Sequence, residues 1–240
     1  MIDTYVAIDL ETTGTNPAAD RIIEIGAVKI KNAKAVDSFS IFVNPGIPIS
    51  ARITDITGIS DSDVADAVPI EHIIKDVLEY TEDLPLLGHN VIFDYSFLKK
   101  AAVNSGMKFE KCGIDTLKIA RRILPEVPHK NLPALCRHFG INPGNSHRAL
   151  DDAISASELY YALYGVKPDD EGFVKVNPLN YTVKRDTPIT PAQKSFLAAL
   201  AAYHNITMEQ PLESLTKSQA SRLIDGIIST RGRIVNRPVC

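Results

Sequence analysis

An apolar strand that ends in two acids lies almost at the start of this chain, and it constrains the fold more than any other segment. It reads VAIDLETTG, and its acids are Asp9 and Glu11. Side chains at positions i and i+2 of a strand project from the same face, so both carboxylates point into one space. Because adjacent carboxylates repel and burial opposes their ionisation, the pair requires a shared proton or bound cations. Taken alone, the pattern is equally compatible with exposed acids at a strand end.

Two kinds of periodicity follow along the chain, first that of strands and then that of helices. Strands of a meander are predicted at 4–8, 21–30 and 35–43, which are rich in β-branched and aromatic residues, and a short buried strand at 84–87. Helices are predicted from 70 to 78, where apolar side chains recur at helical spacing, and over 91–104, 115–124, 131–139 and 147–164. This order predicts an α/β fold in which helices cover a mixed sheet.

Length and composition predict one main domain with a small appendage. A chain of 240 residues with 45% hydrophobic residues can bury one core of ordinary size with material left over. We expect the main domain at 1–164, a linker or extended segment at 165–189, a helical hairpin at 190–230 and a tail at 231–240.

Two capping-box patterns predict the helical hairpin. TPAQ begins at Thr190 and TKSQ at Thr216, and each precedes an apolar helical face. In this pattern the Thr hydroxyl and the Gln side chain satisfy the orphan amides of the first turn reciprocally. Because two such helices are too small to fold alone, we expect their apolar faces to pack on the main domain or on another protein.

The net charge of −3 hides an asymmetry between the two parts of the chain. Residues 1–164 hold 16 Lys and Arg against 22 Asp and Glu, a net charge of −6, whereas residues 165–240 carry +3. The main part is therefore not a basic protein that coats phosphates. If it binds a polyanion, bound metal ions are the obvious source of positive charge in its site.

The cysteines and the hydropathy argue against several classes of protein. Cys112, Cys136 and Cys240 fall in no CxxC or Cys/His spacing, so neither a disulfide framework nor a thiolate zinc site is expected. No window approaches the ~18 consecutive apolar residues of a membrane span, and the N-terminus carries an acid where a secretory signal has lysines. We therefore expect a cytoplasmic protein that does not bind membranes.

Two further acids lie on the apolar faces of predicted helices. In HNVIFDYSFLKK, Asp94 takes the apolar side of the helix, whereas Lys99 and Lys100 take the solvent side. In HRALDDA, Asp152 lies among alanines that allow a close approach to the sheet, whereas Asp151 faces away. Taken alone, Asp94 is better explained as a helix cap or as the acceptor of a hydrogen bond in the core.

Four inward acids and one histidine together predict a metal site. His147 alone would be a surface or capping histidine, but Asp9, Glu11, Asp94 and Asp152 offer the hard oxygen ligands that Mg²⁺ and Mn²⁺ prefer. Two such ions would neutralise the acids, orient a phosphodiester, activate a water and stabilise the leaving oxygen. His147 would take the proton of that water, a role suited to an unperturbed pKa of about 6.5.

The order of DLET, HNVIFD and HRALDDA resembles the three motifs of the DnaQ-like, DEDDh-type 3′–5′ exonucleases. That family includes the epsilon proofreading subunit of bacterial DNA polymerase III. The segments ITGI at 56–59 and DTL at 115–117 resemble the family as well, so that the resemblance covers residues 4–164. It implies a ribonuclease H-like fold, a mixed five-stranded sheet flanked by helices, to which the C-terminal helices are a small appendage.

The resemblance also implies roles for individual residues. Asp9, Glu11 and Asp152 would hold one metal ion, and Asp9 would share a second ion with Asp94. His147 would be the catalytic base of the histidine subclass. The residues implied beside the terminal sugar and base are Thr12, Thr57, Gly58, Ile59, Asn90 and Phe93.

The implied reaction is hydrolysis of the terminal phosphodiester at a 3′ end, with release of nucleoside 5′-monophosphates. We expect single-stranded DNA as the preferred partner, since unstacking a terminal residue of a duplex costs on the order of a few kcal/mol. A polymerase or another replication or repair protein is a candidate partner of the C-terminal helices. Two alternatives remain open: a 3′–5′ exoribonuclease of the same family, and a non-catalytic adaptor for nucleic acid or protein.

Overall fold

The chain forms two compact units, Met1–Val183 and Lys184–Cys240. A computed structural model describes residues 1–144, 147–208 and 211–234. Cys240 and the part of the predicted tail that follows residue 234 lie outside the described residues. The boundaries predicted at 164, 189 and 230 stay predictions.

A mixed sheet forms the centre of the first unit. Within the described residues its strands are β1 (Tyr5–Thr12), β2 (Ile22–Lys31), β3 (Lys34–Phe42), β4 (Leu86–Gly88), β5 (Cys112–Asp115) and β6 (Asn177–Pro178). Their order across the sheet is β3-β2-β1-β4-β5-β6. The pairs β1–β4 and β4–β5 are parallel and the other pairs are antiparallel.

Helices lie between and after the strands of the first unit. They are α1 (Ala51–Thr57), α2 (Asp61–Val64), α3 (Ile70–Tyr80), α4 (Ile92–Asn104), α5 (Thr116–Ile123), α6 (Leu132–Phe139) and α7 (Ala149–Val166). The strands predicted at 4–8, 21–30 and 35–43 are confirmed, as are the helices predicted from residue 70 and over 91–104, 115–124, 131–139 and 147–164. The strand predicted at 84–87 is β4, displaced towards Gly88.

The sheet has six strands in the described residues, so the prediction of five is wrong by one. The sixth, β6, lies inside the predicted linker and pairs with Cys112 and Gly113 of β5. Phe173, in a short 3₁₀ turn before β6, is fully buried. This part of 165–189 is therefore packed on the first unit. A strand of two residues has no periodicity that a sequence pattern could reveal.

The core of the first unit lies on both faces of the sheet. Along β1, Val6, Ile8 and Leu10 join one apolar cluster with residues of α3 and α4. Tyr5 and Ala7 join the other cluster, with residues of α5, α6 and α7. Because strand side chains alternate, Asp9 and Glu11 continue the face of Tyr5 and Ala7. The two acids thus project towards the α7 side of the sheet.

The second unit is a helical pair with its own apolar core. α8 (Pro191–Tyr203) and α9 (Lys217–Arg231) each begin with the predicted capping box, at Thr190 and Thr216. Leu197, Leu215 and Ile224 form the buried cluster of this unit. Among the described helices of the chain, none combines the length and the apolar character needed to cross a bilayer.

Candidate active site

The end of β1 presents Asp9 and Glu11 beside β2. In the antiparallel register Asp9 lies opposite Gly26, and Glu11 lies opposite Glu24. Both acids are partly exposed. The register shifts between Glu11 and Thr12, which ends regular pairing directly after the second acid. The sheet therefore fixes the backbone of both acids at the place where its regular pairing ends.

Asp94 fastens the start of α4 to the end of β1. Its side chain is 3% exposed, and its Oδ1 accepts a hydrogen bond from the backbone N–H of Leu10 at 3.0 Å. The parallel pairing of β1 with β4 reaches only Ala7, so a carboxylate takes the place of a strand partner at Leu10. Sequence reasoning offered either a core hydrogen bond or a metal site for Asp94. The structure contains the hydrogen bond through one oxygen.

Asp152 and His147 come from the start of α7. Asp152 is 9% exposed, and its Oδ2 accepts a hydrogen bond from the backbone N–H of His147 at 3.0 Å. The inward position predicted for Asp152 is confirmed, because the neighbouring Asp151 is more exposed. His147 is exposed and has a positive φ of 65°, a conformation that residues other than glycine seldom adopt.

Three of the predicted residues form a group that could hold a metal ion. One ligand atom from each of Glu11, His147 and Asp152 lies within 4.8 Å of the others. Asp9 and Asp94 lie near this group. Besides burial, the carboxylates of Asp94, Glu11 and Asp152 raise the pKa of Asp9, and the carboxylate of Glu11 raises the pKa of Asp94. The structure thus brings together all four acids and the histidine, which are separated in sequence by up to 143 residues.

Burial and mutual repulsion make this group of acids unfavourable without cations. Burial raises the pKa of Asp9 well above its ordinary value, and the carboxylates of Asp94 and Glu11 raise it further. Burial and then Asp152 raise the pKa of Glu11 to about 7. Burial likewise raises the pKa of Asp94, although the N–H of Leu10 opposes the shift.

Asp152 shows the same opposition between burial and hydrogen bonding. Burial raises its pKa, whereas the N–H of His147 lowers it. Oxygen ligands suit Mg²⁺ and Mn²⁺, and a divalent ion would offset the repulsion that raises the pKa values of these acids. The donor set therefore fits a divalent metal site.

The segment predicted to border the substrate sugar and base is the end of α1 and the two residues that follow it. Thr57 ends α1, and Gly58 follows with a φ of 71°, a left-handed conformation that favours glycine. The N–H of Ile59 donates to Thr57 Oγ1 at 3.1 Å, and Ile59 packs beside Ile23 of β2. The role of this segment towards a substrate stays a prediction.

The other predicted pocket residues lie within four residues of an acid of the site in sequence. Thr12 is buried after Glu11, and its hydroxyl donates to Gly14 O at 2.6 Å. Asn90 is exposed with a φ of 77°, and its N–H donates to Asp115 Oδ1 at 3.1 Å. Phe93 is half-buried directly before Asp94. Their contact with a substrate also stays a prediction.

Two residues near the site were missed by sequence reasoning. Glu24 is 1% exposed in β2 and forms an ion pair with Arg148. His89 is within hydrogen-bond distance of Thr116 Oγ1 and of Lys130 O, at 2.9 and 2.7 Å. A lone acid in the apolar run IIEIGAV was the available signal for Glu24. His89 stands beside Asn90 in HNVIFD but carries no periodicity signal of its own.

Comparisons with known proteins agree with this geometry. DNA polymerase III PolC-type of Caldanaerobacter subterraneus subsp. tengcongensis is 40% identical over 176 residues, which are 73% of this chain and 12% of the relative. The PolC-type protein of Listeria monocytogenes is 30% identical over 242 residues, 94% of this chain and 17% of the relative. The chain thus spans less than a fifth of these relatives. Their names indicate the PolC type, so the expected likeness to the epsilon subunit in particular is not supported.

Solved structures share the fold. Escherichia coli exonuclease I in complex with a dT13 oligonucleotide has a TM-score of 0.62 and 18% identity, over 70% of this chain and 42% of that one. Exonuclease X in complex with 5′ overhanging duplex DNA has a TM-score of 0.57 and 29% identity, over 69% of this chain and 93% of that one. The mixed sheet flanked by helices is therefore the ribonuclease H-like fold that the resemblance implied.

A family model decides the assignment. The model described as Exonuclease (RNase_T) matches residues 6–160, which include all four acids and His147. The match covers more than half of the chain. This chain therefore belongs to the RNase_T exonuclease family, the DnaQ-like group that its motifs resemble.

Proposed function

We propose that this chain is a metal-dependent 3′–5′ exonuclease that hydrolyses the terminal phosphodiester of single-stranded DNA and releases nucleoside 5′-monophosphates. One observation carries the proposal: β1, α4 and α7 bring Asp9, Glu11, Asp94 and Asp152 together with His147. Four carboxylates that repel one another are costly to a fold, so their convergence indicates a cation-dependent task. The structural neighbours crystallised with DNA support DNA as the substrate class.

The acids are assigned to two divalent ions, Mg²⁺ or Mn²⁺. Asp9, Glu11 and Asp152 would hold one ion, and Asp9 and Asp94 would hold the other. When bound, these ions supply an activated water and charge stabilisation of the leaving oxygen. Asp94 keeps one carboxylate oxygen on the N–H of Leu10. Its other oxygen would bind the metal ion.

His147 is assigned as the general base. Its ring lies within reach of the carboxylates of Glu11 and Asp152 and is exposed, so an attacking water can approach it. The hydrogen bond from its backbone N–H to Asp152 fixes the backbone of the base. His147 would accept the proton of the water as the oxygen attacks the terminal phosphorus, and the 3′ oxygen of the preceding nucleotide would leave.

The segment at 57–59, with Thr12, Asn90 and Phe93, is assigned to the terminal nucleotide. Gly58 and Asn90, which both have positive φ angles, would shape the pocket, and Phe93 would offer a face on which a base can stack. Single strands are preferred because their terminal nucleotide can enter the site without being unpaired and unstacked from a duplex. The PolC-type relatives suggest a role in replication or repair, with the second unit as the surface for a polymerase or another replication protein.

The decisive experiment is a digestion panel. The substrates are matched single-stranded DNA, mismatched duplex DNA and single-stranded RNA, each labelled once at the 5′ end and once at the 3′ end, with Mg²⁺, Mn²⁺ or EDTA. The proposal expects a ladder that shortens from the 3′ end, fastest on single-stranded DNA and abolished by EDTA. Faster digestion of RNA would make the chain an exoribonuclease, and binding without hydrolysis would make it an adaptor.

A further inference from the structure

The first turn of α7 lies directly on β2, backbone against backbone. A Cβ atom built on Gly26 would lie 2.0 Å from Leu150 N and 2.1 Å from the carbonyl carbon of Ala149. These distances leave no room for any side chain at this position. The first turn of α7 therefore packs directly on β2 at Gly26, and this contact fixes the place of the turn that carries His147 and Asp152.

Glu24, two residues before Gly26 on the same face of β2, binds that turn through hydrogen bonds. Its Oε2 accepts a hydrogen bond from the N–H of Ala149, the first residue of α7, at 3.2 Å. The guanidinium of Arg148 donates to both carboxylate oxygens, with Nη2 to Oε1 at 3.0 Å and Nε to Oε2 at 3.2 Å. Ser40 Oγ of β3 donates to Oε1 at 2.8 Å.

Among the described residues, these contacts supply hydrogen-bond acceptors to the first turn of α7. Its N-cap residue is Arg148, which makes no side-chain cap hydrogen bond. The first amides of a helix need acceptors, and an acid near them also favours the helix dipole. The turn is held from two sides, because Glu24 binds Ala149 and Arg148 while Asp152 binds His147.

Glu24 is nevertheless not a further metal ligand. Its two oxygens accept hydrogen bonds from donors of Arg148, Ala149 and Ser40. An oxygen that faces an N–H or O–H donor is not free to face a cation, and the guanidinium already balances its charge. Arg148 also stacks over Phe42, with its Cζ 5.1 Å from the ring centroid. The pair is thus fixed to the sheet.

We propose that Glu24 and Arg148 are positioning residues, which set the distance from the Asp152–His147 turn to the acids of β1 and touch neither substrate nor metal. The inference rests on the proposed function, because it assigns these residues to the same site. Small errors in the place of a ligand or a base have large effects on rate. Weakening the bonds of Glu24 to Arg148 and Ala149 should therefore lower turnover, while the binding of the nucleic acid strand is retained.

The test uses the full chain with Glu24→Gln, with Arg148→Lys and with a matched control. Gln keeps the shape of Glu24 but weakens its bonds to Arg148, and Lys keeps the charge of Arg148 but loses the fork that binds both oxygens. The control is Asp170→Asn, which in the same way weakens the bonds of Asp170 to Arg122. The two pairs match in exposure, at 43% for Arg148 and 1% for Glu24 against 41% for Arg122 and 9% for Asp170.

Three measurements are made on each variant. These are kcat and KM on a single-stranded oligonucleotide, the Mn²⁺ dissociation constant by calorimetry, and hydrogen exchange in the peptide 147–153. For Glu24→Gln and Arg148→Lys we expect kcat and Mn²⁺ affinity to fall by about 10- to 100-fold, as for residues that orient metal ligands. We expect a nearly unchanged KM and faster exchange in 147–153. The control should match the wild type in all three.

The outcomes separate this inference from the proposed function. If both variants match the control in kcat, Mn²⁺ affinity and exchange, the positioning role is wrong. An equal loss of affinity for the strand would also overturn it, since the pair would then contact substrate. Should Glu24→Gln fail to fold, Arg148→Lys decides alone. A wild type that binds Mn²⁺ but cuts no nucleic acid contradicts the proposed function. Mn²⁺ affinity and hydrogen exchange of the variants then still test the positioning role of Glu24 and Arg148.

Discussion

The two units of this protein use their polar residues in opposite ways. In the first unit the carboxylates of Asp94 and Asp152 are buried near Asp9, and each raises the cost of ionising Asp9. In α8 and α9 of the second unit the buried residues are apolar, and Thr190 and Thr216 serve to cap these helices. The polar groups that cap α8 and α9 stabilise local structure, whereas the acids gathered at the end of β1 in the first unit raise one another's pKa at the expense of stability.

The largest effect expected on this contrast comes from Asp9→Asn. The change removes the acid that lies among the other carboxylates, so hydrolysis of a labelled oligonucleotide should fall to the background of the assay. Without metal at pH 8, thermal unfolding should shift to higher temperature, because one repelling charge is gone. The control is Asp225→Asn on the exposed side of α9, which should change neither property. Full activity of Asp9→Asn would remove the metal assignment.

A smaller loss is expected from His147→Gln. Removing a general base lowers turnover by about 10² to 10⁴-fold, and the acids remain to hold metal, so the Mn²⁺ dissociation constant should be unchanged. Kinetics and calorimetry on the same preparation check this. His204→Gln in the second unit is the matched histidine control. If Mn²⁺ affinity fell as far as turnover, His147 would be a metal ligand and not the base.

The cost of the buried acids should appear as a pH dependence of stability. The pKa of Glu11 is raised from an ordinary value of 4.5 to about 7. A raised pKa means that the folded state holds the proton more tightly, so the stability it contributes is present below pH 4.5 and is lost as pH rises through 7. The melting temperature of metal-free Glu11→Gln should therefore equal that of the wild type at pH 4.5 and exceed it at pH 8.

Divalent metal should reverse that loss. Saturating Mn²⁺ binds the folded state, so it should raise the melting temperature of the wild type at pH 8 more than at pH 5 and have a weaker effect on Glu11→Gln. Calorimetric scans with Mn²⁺ and with EDTA measure the rise in melting temperature for both proteins. A difference between the two proteins that is independent of pH would contradict the raised pKa of Glu11.

The smallest effect is expected in the second unit. Thr216→Ala removes the hydroxyl that accepts a hydrogen bond from the N–H of Gln219 at 3.2 Å. Loss of such a cap costs about 1 kcal/mol of helix stability, which hydrogen exchange in the peptide 217–231 can measure. Thr230→Ala is the matched control, because Thr230 bonds to Gly226 within the last turns and caps nothing. Nuclease activity should be unchanged in both variants.

Much of the candidate site could be predicted from short sequence patterns. The strand period placed Asp9 and Glu11 on one face, and the helix period separated the buried Asp152 from Asp151. The same reasoning failed on α4. Lys99 and Lys100, predicted on the solvent side, are 7% and 8% exposed. The segment that follows α4 also covers this side of the helix, and Lys99 donates to Phe109 O and pairs with the Glu110 carboxylate there.

The sequence by itself determined β1 to β4, the helices from α3 to α9, the caps of the two helices of the second unit, and which acids face inward. These properties depend on neighbours within about four residues, where backbone geometry alone fixes direction. Tertiary structure decided the sixth strand, the burial of the α4 lysines and the grip of Glu24 on Arg148, a partner 124 residues away. Such contacts depend on how distant segments meet in the sheet, which no local period can encode.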